Sequence, residues 1–252
     1  MSDDRFRTAA KAGRTLYDAW LTLNSPFAIE LIAKAGWDCV TIDQQHGLGG
    51  HSELVACLTA ARAARLPALV RVAENDKALV GRALDAGAQG VICPLIDSAD
   101  DAARFIRAVK YPPQGIRSWG PYRARLEFEG DYFSAANGWT IACAQIETAG
   151  AMDSLDDILS LEGLDMICLG PNDLSVALTG ELDIRAPEVA DAMNLVLRKA
   201  KERGVIALIF ANDIDFARPA IEAGWDVVAI GSDASWLAQT AAEIRRSIDD
   251  GS

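Results

Sequence analysis

Two carboxylates in the second half of the chain have the chemistry of a sparse metal site. Glu147 follows an apolar run that contains Gln145, and Asp173 lies in the polar segment after the next apolar run. Two carboxylates repel each other unless a cation lies between them, and a site with few protein oxygens suits a hard divalent ion that keeps several waters. The pair therefore predicts a binding site for Mg²⁺ or Mn²⁺. The alternative is that Glu147 pairs with Arg71 and that Asp173 only caps a helix.

A basic side chain and a histidine earlier in the chain add anion and proton chemistry. Arg71 ends an apolar run, and because a guanidinium keeps its proton, its burial requires an anion such as a bound carboxylate or a developing enolate. His46 follows Asp43 by three residues, so the carboxylate could hold one ring nitrogen and leave the other as a proton acceptor. The structural alternatives are an ion pair of Arg71 with Glu147 or Asp43, and a solvent-exposed loop histidine.

Eight short apolar runs, separated by segments with helical patterns, must position these side chains. Continuous apolar strands between helices are typical of parallel pairing with both faces covered. The 252 residues of the chain give roughly 31 residues for each of eight βα units, which is typical of a (β/α)₈ barrel. We therefore predict an α/β protein whose residues 1–252 form a single (β/α)₈ TIM barrel domain. The predicted strands are Thr15–Leu21, Cys39–Asp43, Ala68–Val72, Gly90–Leu95, Thr140–Ile146, Met166–Leu169, Val205–Phe210 and Val227–Ile230.

Capping residues mark where several of the intervening helices begin and end. Ser25 precedes a proline, which predicts an N-cap followed by proline in the first helical turn, and Ser98 opens a second helix similarly. The sequence Ala-Gly-Trp-Asp occurs at 35–38 and again at 223–226, each time before a predicted strand. Its glycine, like Gly87, is predicted to end a helix in a left-handed conformation.

A barrel of this type carries its chemistry at the carboxyl ends of the strands. The segments described above follow the second, third, fifth and sixth predicted strands, so we expect them to meet at one rim. Gln145 and Glu147 are two residues apart and share the parity of Ile141 and Cys143, which predicts that they face the barrel interior. His51, in contrast, lies where the next helix begins, which favours a capping or surface role.

Composition excludes several other classes of protein. The chain carries 36 acidic and 24 basic side chains, a net charge of −12, which would repel nucleic acid and anionic membrane surfaces. No apolar stretch approaches the roughly 18 residues of a membrane span, and the first residues are polar, so we expect no membrane partner and no secretion signal. The five cysteines are widely spaced within apolar runs, as expected for buried thiols of a cytoplasmic protein.

Three absences bear on the reaction. A Schiff-base aldolase needs a lysine inside the barrel, whereas the six lysines all fall on predicted helices or at the starts of loops, which disfavours imine chemistry. No Cys or Ser follows a predicted strand with a neighbouring His, so acyl transfer lacks a nucleophile. No Gly-x-Gly-x-x-Gly follows a predicted strand, which argues against dinucleotide binding.

Five motifs, taken in order, resemble a family of metal-dependent enzymes. They are DQQHG at Asp43–Gly47, PALVRV at Pro67–Val72, PPQGIR at Pro112–Arg117, QIET at Gln145–Thr148 and LGPNDLS at Leu169–Ser175. This series is similar to the class II pyruvate aldolases, the 4-hydroxy-2-oxoheptanedioate and 2-dehydro-3-deoxyglucarate aldolases, within the wider citrate lyase β-subunit and malyl-CoA lyase superfamily. The resemblance implies reversible cleavage of 4-hydroxy-2-oxo acids to pyruvate and an aldehyde, through a metal-stabilised pyruvate enolate.

The resemblance also implies how the metal and the oxo acid are held. Glu147 and Asp173 would bind the divalent metal, with Co²⁺ as a further candidate beside Mg²⁺ and Mn²⁺. Gln145 would support the oxo acid beside them. The backbone of Gly170-Pro171-Asn172-Asp173 would receive the pyruvate carboxylate.

Further residues take their roles from the same resemblance. Arg71 would contact the oxygen that becomes the enolate oxygen, and His46 with Asp43 would transfer protons. Arg117 would begin a loop near the aldehyde portion of the substrate. The family also forms hexamers, built as trimers of dimers with exchanged carboxyl-terminal helices, so we expect Trp236–Ile248 to pack on a neighbouring subunit.

Two positions depart from the family pattern. Gln45 stands where an acidic residue is more common, and its neutral side chain would leave His46 less basic. Ser118 replaces a glycine after the arginine, and Trp119 beside it would narrow the aldehyde pocket. Substrate preference therefore follows less directly from the resemblance than the type of reaction does.

Three other functions stay open. A CoA-thioester lyase of the same superfamily would need basic residues at the rim for its substrate's phosphates, and Arg123 and Arg125 are the candidates. A sugar-phosphate epimerase would want a glycine-rich phosphate site after the last strands, where 231–233 offers one glycine and an adverse carboxylate. A non-catalytic oxo-acid-binding barrel would not need the full set of acidic, basic and histidine side chains at the rim.

Overall fold

Eight parallel strands close into a barrel, each paired with its neighbours in chain order. The strands are β1 (Leu16–Leu21), β2 (Cys39–Asp43), β3 (Ala68–Arg71), β4 (Gly90–Cys93), β5 (Ile141–Ile146), β6 (Met166–Leu169), β7 (Ile206–Ala211) and β8 (Val227–Ser232). Their ends differ from the predicted ends by at most two residues. The computed structural model describes residues 5–128 and 130–249, so residues 1–4, 129 and 250–252 of the predicted domain lie outside the described residues.

Helices connect the strands and begin and end at the predicted caps. Ser25 and Ser98 each accept a backbone N–H at a helix start, as predicted. Gly36, Gly87 and Gly224 have φ angles of 89°, 104° and 90°, which confirms the left-handed glycines before strands. The helices of the described residues are α1 (Arg5–Ala10), α2 (Pro26–Lys34), α3 (His51–Ala63), α4 (Lys77–Asp85), α5 (Ala99–Val109), α6 (Ala124–Glu127), α7 (Tyr132–Trp139), α8 (Ala149–Asp153), α9 (Leu155–Leu159), α10 (Pro171–Thr179), α11 (Pro187–Arg203), α12 (Ile214–Ala223) and α13 (Asp233–Asp249).

Strand side chains alternate between the barrel interior and the surrounding helices. Ile141 and Cys143 pack in the inner core with side chains from other strands, such as Leu208. Phe6 of α1 joins this inner core and is 1% exposed, so it covers the amino-terminal end of the barrel. The parity of β5 places Gln145 on the same inner side, nearer the carboxyl end. Apolar side chains therefore fill the lower barrel, and polar side chains lie above them at the rim.

The carboxyl group of Asp18 lies inside the barrel core. Asp18 of β1 is fully buried, and its Oδ2 accepts a hydrogen bond of 2.8 Å from Thr41 Oγ1. Its Oδ1 has no hydrogen-bond partner among the described residues. Burial raises the pKa of Asp18 to about 6, because a carboxylate loses its hydration there.

The long connection from α5 to β5 lies at the amino-terminal end of the barrel. Lys110, directly after α5, is 2% exposed, and its Nζ donates to Asp165 Oδ2 and to Thr140 O, both at 2.8 Å. Asp165 precedes β6 and Thr140 precedes β5. Lys110, the most buried of the six lysines, thus lies at the opposite end of the barrel from the carboxyl rim.

The carboxyl-terminal helix α13 extends away from the barrel after its first turn. Trp236 packs on Trp37 with ring centroids 5.0 Å apart. Residues 237–248 are all exposed, and they include Leu237 at 64% and Ile244 at 59%. Within residues 5–128 and 130–249, no helix has the length and apolar content needed to cross a membrane.

Candidate active site

A cavity of about 190 Å³ opens at the carboxyl ends of the strands, as predicted. Asp43, His46, Arg71, Gln145 and the segment 170–173 form its walls. Glu147 lies directly behind this wall, where it contacts Gln145 and the end of β6. The structure therefore brings together all of the predicted site residues except Arg117.

Asp43 and Arg71 form a two-point ion pair at the base of the cavity. Arg71 Nε donates to Asp43 Oδ1 at 3.0 Å, and Nη2 donates to Oδ2 at 2.6 Å. Burial alone would raise the pKa of Asp43, but Arg71 and the N–H groups of Gln45 and His46 outweigh it and hold that pKa below its ordinary value. Of the two structural partners considered for Arg71, Asp43 is the one that it contacts. This pair engages Nε and Nη2 of the guanidinium, so Nη1 makes no bond to Asp43.

His46 lines the cavity from the loop after β2, and its side chain is exposed. Its backbone N–H donates to Asp43 Oδ1 at 3.3 Å, beside that of Gln45 at 2.9 Å. Asp43 thus accepts hydrogen bonds from backbone amides of this loop, and Arg71 binds the same carboxylate. The expectation that Asp43 holds a ring nitrogen of His46 does not agree with this arrangement, because the two carboxylate oxygens already accept other hydrogen bonds.

Glu147 is 2% exposed and is held by two donors. Its Oε1 accepts the N–H of Leu95 at 2.8 Å, and its Oε2 accepts Gln145 Nε2 at 2.5 Å. A Cβ on Gly170 would collide with Oε2, so the end of β6 approaches Glu147 only because this position is glycine. Burial raises the pKa of Glu147, and the charge of Asp173 adds to the rise although the N–H of Leu95 opposes it.

The first turn of α10 borders the cavity with free backbone amides. Gly170 is the N-cap and Pro171 occupies the first turn. Because proline has no N–H, the unpaired amides of this helix end belong to Asn172 and Asp173, and such amides suit a carboxylate. The side chains of Asn172 and Asn212 hydrogen-bond each other at 3.2 and 3.0 Å, which ties this turn to the loop after β7. The alternative that Asp173 caps the helix is wrong, because the cap is Gly170.

The oxygen atoms around Glu147 fit a hard divalent cation. Gln145 Oε1 is buried without a hydrogen-bond partner among the described residues, and repulsion by Asp173 contributes to the raised pKa of Glu147. A cation bound to these oxygens would relieve both. No group of three or more His, Cys, Asp or Glu side chains suited to a metal occurs in the part of the chain that the structure describes. Water and substrate would therefore complete the coordination, as is usual for Mg²⁺.

Arg117 lies at the opposite end of the barrel from the cavity. Its Nη2 donates to Asp85 Oδ1 at 2.9 Å, its guanidinium lies 4.6 Å from the centre of the Tyr111 ring, and its side chain is fully buried. Asp85 ends α4, which runs back from the carboxyl end of β3 to the amino end of β4. Arg117 therefore does not join the site of its own chain. Arg123, a candidate for binding CoA phosphates, lies at this same end and donates to Ala86 O.

Four residues of the cavity were not predicted. They are Trp20, Thr22, Phe210 and Ser232, which lie at or next to the carboxyl ends of β1, β7 and β8. The rings of Trp20 and Phe210 meet edge to face with centroids 5.3 Å apart, and the Arg71 guanidinium lies 4.9 Å from the centre of the Trp20 ring. Their position on the strands is the signal that could have found them, since inward-facing residues at the carboxyl rim border one cavity.

Comparison with known proteins agrees with this fold. The family described as HpcH/HpaI aldolase/citrate lyase matches residues 17–240. The hydroxypyruvate/pyruvate aldolase of Roseovarius nubinhibens is 33% identical over 239 residues, which cover 94% of this chain and 93% of that protein. The 4-hydroxy-2-oxo-heptane-1,7-dioate aldolase of Escherichia coli is 34% identical over 242 residues, with 95% and 92% covered. The solved structure of an HpcH/HpaI aldolase/citrate lyase family protein from Burkholderia cenocepacia J2315 has a TM-score of 0.91 and 34% identity, covering 98% of this chain and 99% of that chain.

A parallel barrel with acidic, basic and histidine side chains at its carboxyl rim is the architecture of a barrel enzyme. The chain belongs to the HpcH/HpaI aldolase/citrate lyase family. Within that family, its relatives identify it as an aldolase of the pyruvate-dependent type. The family predicted from the five motifs is confirmed.

Proposed function

We propose that this enzyme reversibly cleaves 4-hydroxy-2-oxo acids to pyruvate and an aldehyde through a pyruvate enolate. The observation that carries the proposal is the convergence of Asp173, Arg71 and the first turn of α10 on one cavity, with Glu147 directly behind its wall against Gln145 and Gly170. The names of the relatives, a hydroxypyruvate/pyruvate aldolase and a 4-hydroxy-2-oxo-heptane-1,7-dioate aldolase, support the same chemistry.

Glu147 and Asp173 are the residues that would hold a divalent metal, in a family whose aldolases are metal-dependent. Mg²⁺ and Mn²⁺ suit their oxygen atoms best, with Co²⁺ as a further candidate. When bound, such an ion supplies Lewis acidity to the carboxylate and keto oxygens of the oxo acid. Gln145 orients the ligand oxygens through its 2.5 Å hydrogen bond to Glu147 Oε2.

Arg71 stabilises the negative charge that develops on the keto oxygen. Its Nε and Nη2 bind Asp43, so the fork is fixed in orientation while Nη1 is left to contact substrate. A donor already held in place needs no reorganisation as charge develops, which is why such contacts act on the transition state. The free N–H groups of Asn172 and Asp173 receive the substrate carboxylate beside it.

His46 transfers the proton at the 4-hydroxyl. Its ring is exposed on the cavity wall, and a neutral imidazole accepts the hydroxyl proton as the carbon–carbon bond breaks and returns it when the bond forms. Asp43 assists by holding the backbone N–H of His46 at 3.3 Å, so the loop rather than the ring is what the carboxylate fixes.

The size and charge of the site favour a small acid over a CoA thioester. The cavity measures about 190 Å³, and Arg123 lies at the opposite end of the barrel with its guanidinium bonded to Ala86 O and Thr59 Oγ1. Arg125 stacks on Trp119 and Tyr122 in the same connection. Neither arginine borders the cavity of its own chain, where the phosphates of a CoA substrate would need them.

We propose the same assembly and location that the sequence led us to expect. A hexamer, a trimer of dimers with exchanged carboxyl-terminal helices, would cover the exposed residues 237–248 of α13. Leu237 and Ile244 are seven residues apart, so they lie on one face of the helix. The five cysteines are all buried and free, which suits a protein of the reducing cytoplasm.

A direct test is carbon–carbon bond formation by metal-stripped protein. The protein is incubated with pyruvate and a panel of aldehydes, single divalent ions are added back, and products are identified by mass. We expect a 4-hydroxy-2-oxo acid with Mg²⁺, Mn²⁺ or Co²⁺ and none without metal. Glu147→Gln, which removes the charge of one ligand, is expected to form no product, and its matched control is Glu162→Gln, which alters an exposed carboxylate before β6. The proposal is wrong if no new carbon–carbon bond forms with any of the ions.

A further inference from the structure

The loop that carries His46 rests on a buried asparagine from the end of a different strand. This histidine loop spans residues 44–49, and Asn24 lies three residues after β1. Asn24 is 3% exposed, and its Nδ2 donates to the backbone carbonyl of Asp43 at 3.1 Å. Its side chain is absent from the cavity wall, so any influence on substrate passes through the loop.

Two glycines let the loop fold tightly over Asn24. A Cβ on Gly47 would lie 2.7 Å from Asn24 Nδ2, and a Cβ on Gly49 would lie 2.5 Å from Asn24 Cβ. Neither position tolerates a side chain without displacing Asn24. Leu48, between them, donates its backbone N–H to Thr22 O at 2.8 Å. Residues 47–49 of the histidine loop are thus fitted against residues 22–24.

Two features of Asn24 cost folding free energy. Its φ angle is +52°, which costs a non-glycine residue free energy. Its Oδ1 is buried without a hydrogen-bond partner among the described residues, which costs more. Departures of this kind persist where function rather than stability selects the residue.

Residues 22–24 are themselves fixed by the segment that follows β8, the strand paired with β1. Asp233, the first residue of α13, is 8% exposed. Its Oδ1 accepts the N–H of Thr22 at 2.8 Å, and its Oδ2 accepts the N–H of Leu23 at 3.2 Å. The start of the carboxyl-terminal helix therefore holds the segment from which Asn24 reaches the histidine loop.

We infer that Asn24 is a positioning residue for proton transfer, which holds the histidine loop so that His46 and Asp43 keep their places at the cavity. The inference rests on the proposed aldol function. Substrate binding depends on Glu147, Asp173 and the amides of α10, which Asn24 does not contact. Loss of the Asn24 amide should therefore impair turnover far more than binding of the oxo acid.

The test compares Asn24→Gly with Ser25→Ala in the full-length enzyme loaded with Mn²⁺. Glycine keeps the positive φ angle and removes the side-chain amide. Ser25→Ala removes only the N-cap of α2 and so lowers the stability of the neighbouring residue's surroundings without touching the histidine loop. For Asn24→Gly we expect kcat to fall about tenfold with KM for the oxo acid within about twofold, and the kcat–pH profile to change. For Ser25→Ala we expect a lower Tm with kcat and pH profile unchanged.

Other outcomes separate the two proposals. Wild-type enzyme that forms no carbon–carbon bond with any ion contradicts the aldol function itself. Active wild-type enzyme together with a folded Asn24→Gly variant of normal kcat and pH profile overturns the positioning role alone. Should the glycine variant not fold, Asn24→Asp at high pH keeps the side-chain shape and removes the donor, so normal kcat in that variant overturns the role equally.

Discussion

Asp43 and Arg71 are register partners on adjacent strands, β2 and β3, at the carboxyl rim of the barrel. Neighbouring strands of a sheet place such partners side by side, so the guanidinium meets the carboxylate at two points, 3.0 and 2.6 Å. The pair is nearly excluded from water, since the side chain of Arg71 is 11% exposed and that of Asp43 is 1% exposed. One carboxylate therefore fixes both the arginine and the histidine loop.

Replacing Arg71 with alanine should lower kcat by about 10² to 10³, the range observed on loss of one oxyanion donor. The same change leaves Asp43 buried without its cation, which costs about 3–5 kcal/mol of folding stability. Rates are therefore compared at a temperature where circular dichroism shows the variant folded. Arg71→Lys keeps a charge but not the fork, and we expect intermediate activity. Near-normal kcat for folded Arg71→Ala with metal present would falsify the assigned role.

Removing either acidic ligand should weaken metal binding. We expect Glu147→Gln and Asp173→Asn each to raise the dissociation constant for Mn²⁺ by at least about 100-fold, because a neutral amide is a poor ligand for a hard cation. Gln145→Ala, which keeps both carboxylates and removes the amide beside Glu147, should weaken binding by about 10- to 100-fold. Isothermal titration of metal-stripped protein measures all three. Equal Mn²⁺ affinity in Glu147→Gln and Glu162→Gln would place the metal elsewhere.

Asp18→Asn should stabilise the protein at neutral pH. The pKa of Asp18 is raised from 3.8 to about 6, so the native state holds this proton more tightly than the unfolded chain does. The resulting stability is present below about pH 4 and is lost as pH rises through about 6, an effect of about 3 kcal/mol. Asparagine does not ionise and can still accept the Thr41 hydroxyl.

The measurement for Asp18 is urea unfolding of both proteins at about pH 4.5 and about pH 8. The variant's gain in free energy of unfolding should be larger at the higher pH. A gain that is the same at both pH values, or larger in acid, would show that Asp18 titrates normally in the folded state.

Charge on the apolar face of α13 should dissociate the proposed hexamer. Leu237→Glu with Ile244→Glu places two carboxylates where the hexamer would bury leucine and isoleucine, and buried unpaired charge is strongly unfavourable. Light scattering after size-exclusion chromatography should show a smaller species than wild type. Leu182→Glu alters an exposed leucine outside α13 and serves as the control. A wild-type protein that runs as a monomer would rule out the predicted hexamer.

Much of the barrel and most of the site follow from local pattern in the sequence. Strand length, glycine caps and the serine N-caps depend on neighbours along the chain, and so does the two-residue spacing that places Gln145 with Ile141 inside the barrel. Once the strands are parallel, their carboxyl ends share a rim. The sequence alone therefore predicts that Glu147 and Asp173 belong to one site.

Tertiary structure decided which of several partners each polar side chain takes. The sequence allowed Arg71 to pair with Glu147 or with Asp43, and only the β2–β3 register selects Asp43. Arg117 lies in a long connection whose path depends on packing against α4, so its distance from the cavity was not predictable. Asn24 and Asp43 are 19 positions apart in the chain. They meet because β1 and β2 are neighbouring strands. Contacts of this kind depend on register, twist and side-chain packing between segments, which periodicity along a single segment does not encode.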